Sequence, residues 1–226
     1  MRKMSTTVAV CLLVLAGAVA VSAQSAYDDF EFWVPTEQNG TARLSSDESH
    51  SGLQSLKLSS TPGGQRYIYL THVFPQGTRG TMSVWFYDTA PGQQTLYSSI
   101  TAYNTATSEA FQVGVADWSG SNYVWYGPGL GQTQSSVARS LGWHQFVLRI
   151  IPTGYEALVD NVVVGTVAGD YTFDGVQLIV SGPDWRPDAS YYFDDFSFVE
   201  YIPGPQVPIP APLTTPRPPG GNRPPE

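Results

Sequence analysis

Cysteine is almost missing from this chain. The one copy, Cys11, lies in an apolar run near the N-terminus, so the body can form neither a disulfide nor a thiolate metal site. Lysine is nearly as scarce, with Lys3 and Lys57 the only two. At a formal charge of -8, such a surface argues against nucleic acid, whose binding rests on neutralising phosphates. Helical signals are absent too: no body segment repeats its apolar residues every three to four positions. His50, His72 and His144 stand far apart, and neither His-x-x-x-His nor Gly-x-Ser-x-Gly occurs, which removes the usual signatures of zinc and serine hydrolases. His144 is expected to pack or hydrogen-bond beside Trp143.

The two ends differ from the body. Residues 1–23 have the order of a secretory signal: Arg2 and Lys3, then "VAVCLLVLAGAVAV", then the small-residue site "VSA". That run is short of the ~20 residues of a membrane span, and nothing later is apolar enough to anchor the chain. The expected location is therefore extracellular, periplasmic or at the cell surface. Losing Arg2 and Lys3 would make the formal charge -10. Residues 203–226 hold 10 prolines, a density that prevents helix and central strand and favours an extended tail or linker.

Residues 27–202 are long enough for one domain. Short alternating or aromatic runs recur there, separated by Gly, Pro, Asn and Ser, and thirteen of them are candidate strands. So many short strands without helices predict an all-β, two-sheet antiparallel β-sandwich. In "TMSVWFYD", Met82, Val84 and Phe86 face away from Trp85 and Tyr87. In "WHQFVLRII", Phe146, Leu148 and Ile150 form one row. Asp160-Asn161 suits the positive-φ corners of a type I′ hairpin. Asn39-Gly40-Thr41 matches a glycosylation sequon, but Asn-Gly is also an ordinary turn, the reading preferred here.

Three stretches together resemble the concanavalin A-like lectin and glucanase superfamily (laminin-G-like jelly rolls) and related bacterial carbohydrate-binding modules. They are "DDFEFW" followed by "SHSGLQSLKLSS", then "LGWHQFVLRIIPTGYEALVDNVVVG", and the closing "YYFDDFSF". Asn161 stands where the laminin-G-like pattern has glycine. The resemblance spans residues 28–199 and implies a secreted jelly-roll domain that recognises carbohydrate. In such modules the first and last strands pair, and a structural calcium (Ca2+) often lies near them. Carried over, that implies ligands at Asp29, Glu31 and Asp195.

The residues themselves leave alternatives open. Strict alternation through "YYFDDFSF" puts Tyr192, Asp194, Phe196 and Phe198 on one face, so at least one carboxylate sits among aromatics and needs a partner. Calcium supplies one solution, since it takes 6 to 8 oxygen ligands; solvent or Arg43, Arg66 or Arg186 supplies another. The run "DWSGSNYVWYGPG" and the loop-like "SGPDWRPD" carry Trp118, Tyr123, Trp125, Tyr126 and Trp185. Sugar faces stack on exposed rings of this kind, and Gln112, Asp117 and Asn122 offer hydrogen bonds to hydroxyls. Alternatively "NYVWYG" is a core strand, in which case at most two of its rings point outward.

Catalysis would need two carboxylates flanking a glycosidic bond. None of the seven glutamates is followed two residues later by aspartate, so the Glu-x-Asp-x-x-Glu glucanase pattern is absent. Other acid pairs, such as Glu109 with Asp117 or Glu156 with Asp174, stay open. The expected function is non-catalytic recognition of a polysaccharide or glycan. The alternative is an adhesive or structural surface protein that binds another protein.

Overall fold

The computed structural model describes residues 30 and 32–203. The signal-like segment, most of the proline-rich tail, Asp29 and Glu31 lie outside them. Among the described residues there are fourteen strands, in two seven-stranded antiparallel sheets. No helix among them is long and apolar enough to cross a membrane.

The first sheet runs β1 (Val34–Gln38), β4 (Arg66–Thr78), β13 (Phe173–Gly182), β6 (Tyr97–Asn104), β7 (Glu109–Ala116), β8 (Ser119–Tyr126), β9 (Thr133–Ala138). The second runs β12 (Val162–Ala168), β11 (Gly154–Val159), β10 (Gly142–Ile151), β5 (Gly80–Asp88), β14 (Ser190–Glu200), β3 (Ser55–Ser60), β2 (Gly40–Ser45).

Alternating residues of both sheets meet between them, as two-sided burial in a sandwich requires. Met82, Val84 and Phe86 of β5 are fully buried, as are Phe146, Leu148 and Ile150 of β10. Phe86 stacks on Phe146 at 4.7 Å and on Tyr191 at 5.3 Å, so β10, β5 and β14 share one aromatic seam. Three turn residues have the positive φ expected of them. Asn39 (φ 53°) carries the chain from the first sheet to the second and donates through Nδ2 to the Gln65 carbonyl at 2.8 Å. Asp160 and Asn161 (φ 49° and 64°) close the β11–β12 hairpin.

Three expectations need correction. The run 30–33, expected as the first of the candidate strands, has no strand at residues 30, 32 and 33, and β1 begins at Val34. The first and last described strands do not pair: β1 joins β4 in one sheet, and β14 joins β5 and β3 in the other. Just before β1, the ring of Trp33 meets Phe196 of β14 edge-on at 4.9 Å in the core.

The alternation through "YYFDDFSF" also breaks. Asp195 has φ 47°, and the β14–β5 register shifts between Asp194 and Ser197. This bulge inserts one residue. Tyr191 and Phe193 point into the core before it, and Phe196 and Phe198 after it. Phe196 and Phe198 therefore leave the face of Tyr192 and Asp194.

Candidate functional site

The bulge settles how the paired aspartates are compensated. Asp194, 5% exposed, accepts the backbone N–H groups of His50 (2.8 Å) and Ser51 (3.1 Å) through Oδ2, and that of Asp195 (2.9 Å) through Oδ1. Asp195 meets His50 Nδ1 at 2.6 Å and accepts the Ser51 hydroxyl at 2.5 Å. The His50 ring lies parallel to Trp85 at 3.8 Å. A clasp from the β2–β3 loop, rather than an arginine, thus satisfies both acids. With Asp29 and Glu31 outside the described residues, Asp195 is the one expected calcium ligand in view, and each of its oxygens already meets a donor. Among the described residues no group of three or more acids or histidines is placed to hold a metal.

The aromatic candidates divide into two sets. Tyr123 and Trp125 belong to the core: Tyr123 is fully buried with its ring 5.3 Å from Phe146, and Trp125 is 8% exposed. The Trp125 ring lies against Gly165, where any Cβ would run into it. Neither offers a stacking surface, because in "NYVWY" these two residues have the inward parity. Burial also pushes the Tyr123 phenol up.

Trp118, Asp117 and Trp185 come together at one end of the first sheet, on the β7–β8 turn and the β13–β14 loop. Trp118 is 41% exposed, and its Nε1 donates to Gln132 Oε1 at 2.9 Å. Trp185 is 68% exposed, with the Arg186 guanidinium 4.3 Å from its ring centroid. Arg186 is held in turn by Asp117 at 3.6 Å and Gln94 Oε1 at 3.1 Å. Asn122 is occupied structurally, donating to the Ser135 carbonyl and accepting from Gln134.

Gln112 and Tyr126 face each other across β7 and β8 on the outer side of the same sheet. They belong to a larger surface. One line of ladder partners crosses five strands as Thr71, Gln177, Thr101, Gln112 and Tyr126; the next runs Tyr69, Ile179, Ser99, Gly114 and Val124. Tyr67, Ser181 and Tyr97 form a third line, and Val73, Gly175, Tyr103 and Ala110 a fourth. Small residues lie at the centre and tyrosines around them, which makes a trough. Its polar side chains are hydrogen-bonded to one another. Tyr97 Oη lies 2.6 Å from Ser99 Oγ and donates to Gln112 Oε1 at 2.7 Å; Ser99 meets Thr101 at 2.9 Å, and Gln177 donates to Thr71 at 3.2 Å. Burial pushes the Tyr97 phenol up to about 12, with Ser99 and Thr101 opposing, so this hydroxyl stays protonated at neutral pH.

No Asp, Glu, Lys or Arg occurs in these four lines, on a chain whose net charge is -8. These lines offer hydroxyls, amides and rings, and no carboxylate. The acid pairs left open by the sequence are separated. Glu109 and Asp117 flank opposite ends of β7, roughly 26 Å apart at ~3.3 Å per residue, against the ~5–9.5 Å of a glycosidase pair. Glu156 sits in the second sheet, bound to Arg149, whereas Asp174 belongs to the first. Tyr97, Ser99, Thr101 and Tyr103 were missed as site residues, although "YSSITAY" carries the signal: they share one parity.

No protein-family model and no curated protein matches the sequence. Among solved structures the fold is similar to that of a protein titled "Cellulose induced protein, Cip1", at TM-score 0.58 and 18% identity over 76% of this chain and 95% of that one. It is also similar to a Bacillus licheniformis β-glucanase, at TM-score 0.53 and 13% identity over 81% of this chain and 100% of that one. A third likeness is to a Clostridium perfringens endo-β-galactosidase that releases GlcNAcα1-4Gal, at TM-score 0.51 and 11% identity over 71% and 53% of the two chains. With the two sheets described above, these likenesses establish the concanavalin A-like jelly-roll fold expected from the sequence. They reach no further than the fold, because sites are placed on folds independently of them.

Proposed function

We propose that this chain is a secreted, non-catalytic glycan-binding protein, whose outer first-sheet face receives a carbohydrate chain. One observation carries the reading: an uncharged trough of tyrosines, hydroxyls and amides on an otherwise acidic protein. Sugars present flat apolar faces and many hydroxyls, and this surface answers both, by ring stacking and by hydrogen bonding. Trp118 and Trp185 stand at the end where Tyr97 and Ser181 lie, and extend the aromatic surface beyond the trough. The named activities of the β-glucanase and the endo-β-galactosidase are consistent with a carbohydrate ligand, while the absence of acids from the four ladder lines supports binding without cleavage.

Docking of another protein by strand addition has less support. The β1 edge is interrupted by Pro35, which has no N–H to donate, and carries the charge of Glu37. Affinity electrophoresis through gels containing barley β-glucan, xylan, galactomannan or polygalacturonate tests the proposal. Retardation by at least one, with no shortening of the polysaccharide over time, is expected. Unchanged migration in every gel would remove it, and release of reducing ends would refute the non-catalytic part.

A further inference from the structure

The far end of the trough, opposite Trp118 and Trp185, holds a feature that the face as a whole does not explain. Where β6 ends and β13 begins, a cleft of about 330 Å³ is lined by Val73, Phe74, Gln76, Tyr103, Thr105 and Asp174. Tyr103 is the ladder partner of Gly175, and a Cβ built on Gly175 would collide with Cζ, Oη and Cε1 of that ring. The ring therefore lies down across β13, on the bare glycine backbone. The same ring lines the cleft. On the other side of Gly175 stands its partner Val73, 70% exposed, an apolar shoulder beside the platform.

The polar groups are as specific. Asp174 is 9% exposed and accepts the Thr105 N–H at 3.0 and 3.1 Å, together with the Thr105 hydroxyl. Its carboxylate is thereby fixed at the cleft wall. Burial first, and the charge of Asp174 second, push the Tyr103 phenol up, which marks how near that charge lies to the platform. Gln76 brings an amide, and no Lys or Arg lines the cleft. A buried negative charge with no cation beside it disfavours a second negative charge.

We propose that this cleft is a distinct subsite for one uncharged sugar residue of a glycan chain. Tyr103 is its stacking platform, Gln76 its hydrogen-bonding side chain, and Asp174 the group that excludes uronate or sulfated units. The proposal rests on the reading of the first-sheet face as a glycan surface. Tyr97 and Tyr103 are six residues apart on β6, about 20 Å along the strand, so the subsite would be filled only by a chain long enough to cross the trough.

The test uses the full chain, titrated by calorimetry with whichever of the four polysaccharides retards it. Tyr103→Ala is expected to weaken binding of a neutral polysaccharide about tenfold, the loss typical of one aromatic anchor, and Tyr103→Phe to recover most of it. Gly175→Ala provides a second route, since its methyl lifts the ring without removing it, and it should reproduce part of the loss. Full affinity in both Tyr103→Ala and Gly175→Ala, alongside weakened binding in Tyr126→Ala, would overturn the subsite and leave the face intact. Wild-type binding to polygalacturonate in preference to the neutral chains would overturn the exclusion of charge. No binding by the wild type to any of the four would remove the face, and the subsite with it.

Discussion

Arg139→Ala is expected to lower the unfolding free energy by roughly 3–5 kcal/mol, the cost of leaving a buried carboxylate without its cation. Asp88 and Arg139 have side chains 0% exposed and meet in a paired contact, Nε to Oδ2 at 2.8 Å and Nη2 to Oδ1 at 2.9 Å. The guanidinium also donates to the carbonyls of Ala90 (2.9 Å), Gln93 (3.1 Å) and Ser119 (3.2 Å). One side chain at the end of β9 thereby ties the β5–β6 loop to the start of β8. Those are the segments that present Gln94 and Trp118, so the pair supports one end of the proposed glycan surface. Urea unfolding provides the measurement: the midpoint should fall while the slope stays constant. Replacing both members, as Asp88→Leu with Arg139→Met, should recover much of the loss, because neither charge is then stranded. A fall below 1 kcal/mol for Arg139→Ala would mean that the pair is solvated and does not fix the loops.

The second large effect concerns the clasp over β14. Asp194→Ala removes the acceptor of three backbone N–H groups, those of His50, Ser51 and Asp195. These bonds are part-buried, so each donor left unpaired costs up to ~1–3 kcal/mol, and water and relaxation of the loop keep the total near 2–4 kcal/mol. Asp194→Asn retains one acceptor oxygen and should cost less than half as much. The loss has a local signature as well. His50 stacks on Trp85 and stands edge-on to Trp143 at 5.7 Å, so release of the β2–β3 loop uncovers an indole. Acrylamide should quench tryptophan fluorescence more strongly in Asp194→Ala than in the wild type. Equal quenching together with unchanged stability would show that the loop is held by other contacts.

Parts of this structure were legible in the sequence because they follow a period. The cores of β5 and β10 came from strict alternation, and the β11–β12 hairpin from Asp160-Asn161, whose side chains tolerate positive φ. The same alternation misled at Asp195. A bulge is one extra residue decided by the neighbouring strand and loop, and nothing local in "YYFDDFSF" distinguishes it from a regular strand. Pairing between the first and last strands was expected from the resemblance, and long-range partners are not written in either strand.

The candidate site shows the same division. Trp185 is brought to Asp117 and Trp118 from a distant loop, and Gln112 faces Tyr126 across neighbouring strands. Tyr123 and Trp125 drew notice as aromatic residues, and parity sends both inward. The trough floor is made of Ser99, Thr101, Gly114 and Gln177, residue types too ordinary to stand out until five strands line them up.

The proposed function requires that the outer face of the first sheet, and not that of the second, bind the glycan. Calorimetric titration of Tyr126→Ala and Trp143→Ala with the same retarding polysaccharide tests this most directly, since each removes one aromatic ring from an outer face, of the first and second sheet respectively. Affinity should fall about ten- to a hundredfold for Tyr126→Ala, as for a loss of ~1.4–2.7 kcal/mol, and stay within about twofold for Trp143→Ala. The reverse pattern would place the ligand on the second sheet and contradict the account.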